Sequence, residues 1–124
     1  MASYAAALKS ARMQAVIDAI DANIEPAFME LGTAGVATVM VTITLDDPSF
    51  TEASGAITMN GMPKSGTALV AGSLVEAHIR DGGGNVIISG LTVGLSGADI
   101  ILDFVDLILN QTVTISHASI AHSP

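Results

Sequence analysis

The chain has 124 residues and a net charge of −8, contains no cysteine, and is only 3% aromatic. That length suits one domain able to bury roughly two thirds of its surface, and without cysteine it has neither disulfides nor thiolate metal sites. Its four cations, Lys9, Arg12, Lys64 and Arg80, are too few and too scattered to form the basic face that nucleic acid or an anionic membrane requires.

The first predicted element is a helix over residues 3–23. Ser3 is a candidate cap, and Ala5 to Ala15 are mostly good helix formers. Met13, Val16, Ile17, Ile20 and Ile24 recur at the spacing of one helical face, with Asp18 and Asp21 pointing away from it. Pro26 disfavours helix at Glu25, so the helix should end near Asn23. Tyr4, Leu8 and Arg12 lie off the Met13/Ile17/Ile20 stripe, so this second face is the candidate partner interface. Ile17 and Ile20 are assigned to a helix-on-sheet core. Residues 1–25 thus read as a helical arm and 26–124 as the body.

After Pro26 the period changes from 3.6 to 2. A short strand is expected over Ala27–Leu31, then a clear one over Val36–Leu45. Val39, Val41, Ile43 and Leu45 line one of its faces, and Thr38, Met40, Thr42 and Thr44 the other. Asp46–Ser49 supplies turn chemistry. Further strands are expected over Ala56–Asn60 and Ala71–Arg80. In the latter, Val75, Ala77 and Ile79 face one way, and Leu74, Glu76, His78 and Arg80 the other. Asp81–Asn85, with three glycines, reads as a hairpin turn leading into Val86–Val93. Asp99–Phe104 and Thr112–His122 follow, with a turn at Asn110–Gln111. In the last strand Val113 and Ile115 have one parity and Ala118 and Ile120 the other, so a bulge near Ser116–His117 is expected. The fold class is therefore mainly β: an antiparallel β-sandwich of seven to eight short strands with an N-terminal amphipathic α-helix.

Candidate chemistry is sparse. Asp99 and Asp103 share parity but stand about 13 Å apart along a strand, too far to share an ion; Asp99 is better placed to accept from loop amides. His78 belongs to a polar stripe with Glu76 and Arg80, and His117 and His122 have opposite parity. No metal is expected. The run Gly61–Thr67, GMPKSGT, lacks the spacing of a phosphate loop, and no nucleophile elbow occurs. One Tyr and no Trp argue against a sugar-binding platform. No catalytic residue and no cofactor are assigned, and an enzyme is not expected.

A mean hydropathy of +0.60 with 13% charged residues is high for an isolated monomer. No run of about 18 apolar residues exists to cross a membrane, and residues around Lys9 and Arg12 lack the apolar stretch of a signal peptide. Burial against other subunits accounts for the excess.

The helix ALKSARMQAVIDAIDA (Ala7–Ala22), VTITLDDPSF (Val41–Phe50) and SGAITMNGMP (Ser54–Pro63) carry a family resemblance. It continues through AHIRDGGGNVIISGLTVGLSGADIILD (Ala77–Asp103) and QTVTISHASIAH (Gln111–His122). In this order the segments resemble a family of small virion structural proteins of tailed bacteriophages. The departure lies at Asn23–Val36, where family members often carry a longer glycine-rich segment ending in a Thr-Arg-Pro-like turn. The resemblance implies a non-enzymatic particle component, first of all a capsid decoration or cement protein. Such a protein would form a homo-oligomer, a trimer, on the outer capsid surface and would contact the major capsid protein. It would touch neither nucleic acid nor membrane directly. A small tail or tail-tip protein is the alternative, and a glycan-binding or adhesion module a second one.

Overall fold

The computed structural model describes residues 5–23, 25–46, 48–53 and 55–121. The expected Ser3 cap, Ile24 and His122 lie outside them. The fold is mainly β, with one N-terminal helix and a large curled mixed sheet of broadly sandwich form.

The helix, α1, spans Ala6–Ile20 and closes on the Asp21 amide, which donates to Ile17 O. Ala5 occupies its N-cap without a side-chain bond. Met13, Ile17 and Ile20 are buried in the common core, with Val16 packed beside them. The helix therefore packs on its own sandwich, against the β3 (Phe50–Ala53) and β4 (Ala56–Met59) hairpin. Asp18 is exposed as expected, whereas Asp21 is half-buried and accepts from the Ser49 amide at 3.1 Å.

The remaining strands are β1 (Phe28–Gly32), β2 (Val39–Thr44), β5 (Lys64–Thr67), β6 (Gly72–Ser73), β7 (Glu76–Arg80), β8 (Val86–Gly94), β9 (Ile100–Leu102), β10 (Asp106–Leu107) and β11 (Thr112–Ala121). The large sheet runs β2-β1-β7-β8-β9-β11-β4-β3, with β5 also on β11. Among the described residues the strands number eleven, more than the seven or eight expected, because several are only two to four residues long. Pairing is antiparallel except between β8 and β9, where Val93 aligns with Ile100 and Gly94 with Ile101 in parallel. Asp99 fixes that crossing: it accepts from the Thr92 amide at 3.1 Å, and its own amide donates to Thr92 Oγ1 at 2.9 Å.

The sheet curls until β5 lies against β2. A β-carbon on Gly66 would stand 2.7 Å from Val41 Cγ1 and 3.2 Å from the Thr42 carbonyl oxygen, so this closure needs glycine. The expected bulge in β11 is present: Ile115 pairs with Leu102 and His117 with Ile101. The extra residue turns Ile115 and Ala118 both into the core, and Ile120 is half-buried.

Two expected faces are corrected. Met40, expected on the same face as Thr38, Thr42 and Thr44, is buried. The segment after β5 covers it, with the Leu69 amide donating to Met40 O at 2.7 Å. The strand expected over Ala71–Arg80 breaks between β6 and β7. Leu74 is buried and Val75 exposed, because the Leu74 amide bonds to Val105 O while the next amide, Val75, bonds to Gly32 O. The chain there leaves one strand partner for another.

Candidate functional site

The largest unpartnered apolar feature is a two-stranded ribbon formed by residues 68–75 and 104–111. Its ladder pairs Gly72 with Leu107 and Ser73 with Asp106, extended by Leu74 N to Val105 O and Asn110 N to Ala68 O. Pleating alternates its faces. Leu74 and Leu107 turn inward and are buried. Ser73, Val75, Phe104, Asp106 and Ile108 are exposed. Ser73 Oγ donates to Asp106 Oδ1, so the charged centre of the outer row is held in place. Around it Phe104 is 51% exposed and Ile108 71%, while Leu69 and Leu109 at the ribbon's end are 59% and 58%. Val70 and Val75 complete six of the nine large apolar residues that the described surface exposes. No cation occurs in either strand of the ribbon.

A second region is polar. Glu30 on β1 stands opposite His78 on β7, and Glu30 Oε1 accepts from both His78 Nε2 and Arg80 Nε at 2.6 Å. Arg80 also donates to Gly84 O at 2.7 Å. Burial pushes the Glu30 carboxyl up, but the bonds from His78 and Arg80, with their charge, outweigh it and hold its pKa below the ordinary value. Ser89 and Gly90 together oppose His78, since Ala77 pairs with Leu91 and Ile79 with Ile88; Gly90 takes a φ of 72° there. The cluster ties the strand pair to the adjoining hairpin. In that hairpin Asp81 accepts from the amides of Asn85 at 2.9 Å and Gly83 at 3.0 Å. These bonds, led by that of Asn85, lower its pKa against the effect of burial.

The expected polar stripe of Glu76, His78 and Arg80 is thus real in part. Its members share a face, but His78 is buried and Glu30 is the partner that spacing did not reveal. Asp103 accepts from the Thr114 amide at 2.9 Å, beside the β11 bulge, and so serves the sheet. Among the described residues no group of three or more acidic or histidine side chains converges to hold a metal ion. His117 is exposed.

Of the candidate interface residues, Tyr4 lies outside the described residues. Leu8 is 43% exposed, and Arg12 is exposed one turn further on. Ala11, Ala15 and Ala19 continue that outer face, which also carries exposed Asp18, accepting from Gln14 Nε2 at 3.1 Å. The ribbon escaped sequence reasoning, although Leu69-Val70 and Ile108-Leu109 signalled it. Consecutive apolar residues in an extended segment cannot all face one core.

No family model, curated protein or solved structure matches this chain. No helix among the described residues is long and apolar enough to cross a membrane.

Proposed function

We propose that this protein is a non-enzymatic structural component of a tailed-bacteriophage particle, specifically a capsid decoration or cement protein that binds and stabilises the assembled head. The observation that carries this reading is the exposed apolar ribbon of residues 68–75 and 104–111. A surface of this kind marks a macromolecular interface. The ordered resemblance of segments between Ala7 and His122 to small virion proteins supports a phage particle as the assembly. A cement protein acts by linkage: it binds the assembled lattice and not the dissociated subunits, and so shifts the equilibrium toward the particle. That role requires apolar contact area and many copies, and no reacting group. The net charge of −8 keeps free subunits soluble and gives no attraction to packaged DNA.

Purified particles test the reading. Particles lacking the protein are expected to release DNA at a lower temperature than complete ones, and added protein should restore the difference. Equal heat resistance with and without it contradicts the cement role. A copy number of only a few per particle supports the tail alternative instead.

A further inference from the structure

We infer that Asn60 is a site of spontaneous deamidation, held shut in the folded chain by a two-point clamp on its side chain. The groups involved flank the β3–β4 hairpin, and nothing in them depends on the particle reading. The chain has four asparagines, Asn23, Asn60, Asn85 and Asn110. Only Asn60 precedes glycine; the others precede Ile24, Val86 and Gln111. A following glycine carries no side chain to hinder its own backbone nitrogen, which can then reach the asparagine carbonyl carbon. The fold requires that glycine. Gly61 takes a φ of 75°, and a β-carbon there would collide with the Asp46 carboxylate, which Lys64 holds at 2.6 Å. Asn60 is half-buried and Gly61 exposed, so water reaches the pair.

The chemistry needs only water. The Gly61 nitrogen, after losing its proton to solvent, attacks Asn60 Cγ. An N–Cγ bond forms, the Cγ–Nδ2 bond breaks, and Nδ2 leaves as ammonia with a proton taken from solvent. The resulting cyclic imide adds one water across either of its two carbonyl–nitrogen bonds. One opening gives aspartate and the other isoaspartate. The sum exchanges an amide and a water for a carboxylic acid and ammonia, with no change of oxidation state.

In the folded chain both ends of the Asn60 amide are engaged. Thr51 Oγ1 donates to Oδ1 at 2.7 Å, and Nδ2 donates to Pro48 O at 3.0 Å. Because a carbonyl only accepts, the Pro48 bond fixes which end of the amide is which. The Asn60 backbone amide donates to Ser49 O at 2.9 Å, next to the Phe50–Met59 pair of the β3–β4 ladder. Attack turns the planar side-chain amide into a tetrahedral centre and rotates it toward Gly61. Both movements pull Oδ1 and Nδ2 off their partners, so the reaction waits on local opening. The product cannot restore the clamp. An ionised carboxylate has no proton to give Pro48 O, and isoaspartate lengthens the backbone by one carbon at the end of the ladder. A modified copy therefore keeps a loosened hairpin and one more negative charge.

Peptide mass spectrometry of the full chain held in mildly alkaline buffer tests the site, read as loss of the Asn60 amide and gain of the aspartate and isoaspartate peptides. Asn60 should deamidate at least about tenfold faster in guanidinium chloride than in the folded chain, because two hydrogen bonds must open first. In the denaturant it should also outpace Asn23, Asn85 and Asn110. In the folded protein, Thr51→Val removes the hydroxyl, keeps the branched shape, and should raise the Asn60 rate about threefold or more. Thr51→Ser keeps the donor and should leave the rate near that of wild type. Circular dichroism and thermal melting show whether each variant is folded, and the comparison of wild type with and without denaturant stands without either variant. Equal rates in denaturant and native buffer, a folded Thr51→Val with the wild-type rate, aspartate without isoaspartate, or loss of all four asparagines at one rate in denaturant each overturns the inference.

Discussion

Ile20→Ala is the most informative single perturbation of the fold. Ile20 is fully buried at the last turn of α1, with Ile17 and Met13 completing the stripe. The change removes three carbons, worth about 2.5 kcal/mol at roughly 0.8 kcal/mol per methylene-sized group. The cavity left between helix and sheet adds to this, and the expected loss is about 3–4 kcal/mol. Equilibrium urea unfolding at two protein concentrations measures it. The loss should appear as a lower midpoint with an unchanged slope, and it should be the same at both concentrations, since the helix packs on its own sandwich. A loss below about 1 kcal/mol, or one that shrinks as protein concentration rises, refutes the reasoning and assigns the stripe to a neighbouring subunit. Leu8→Asp is the matched control: its exposed site predicts a change within about 0.5 kcal/mol together with weakened assembly.

Ser49 is buried and its Oγ has no hydrogen-bond partner, so Ser49→Ala should raise stability by about 1 kcal/mol; a loss in urea unfolding would mean the hydroxyl has a role. Gly66→Ala places a β-carbon against Val41 and the Thr42 carbonyl and should cost about 1–3 kcal/mol, read as a fall in melting temperature. Glu30→Gln weakens the charge-assisted bonds from His78 and Arg80 and should cost about 2 kcal/mol at pH 7. The folded-state pKa of Glu30 lies below its ordinary value of 4.5. Its contribution is therefore full above that value and fades as pH falls through the folded-state pKa. Stability of Glu30→Gln should thus converge on wild type in acid, and a constant difference from neutral to acid pH would contradict the assignment.

Much of the scaffold was legible because it rests on periodicity. The Met13/Ile17/Ile20 stripe, the β2 strand and the Asp81–Asn85 hairpin each combine a clear period or turn composition with a local partner. The β11 bulge was legible for the same reason: two apolar pairs of opposite parity demand one extra residue. β5 was not legible. Its residues Lys64–Thr67 carry no apolar alternation, and backbone pairing with β11 and a close approach to β2 hold it instead. The parallel step from β8 to β9 depends on Asp99 reaching Thr92, a contact that spacing alone does not specify.

The polar cluster was half legible. His78 and Arg80 share strand parity, but Glu30 is 48 residues from His78, and only the β1–β7 register joins them. The ribbon was the least legible feature. Its inward residues, Leu74 and Leu107, and its outward residues, Val75 and Ile108, are chemically alike, so composition cannot tell which side meets solvent. Only the ladder at Gly72–Leu107 and Ser73–Asp106 sorts them.

The central claim is that this chain is a repeated structural subunit of a phage particle. Quantitative mass spectrometry of purified particles, calibrated against the major capsid protein, tests it most directly. The account predicts hundreds of copies per particle, in fixed proportion to the capsid lattice; absence of the protein from purified particles contradicts it.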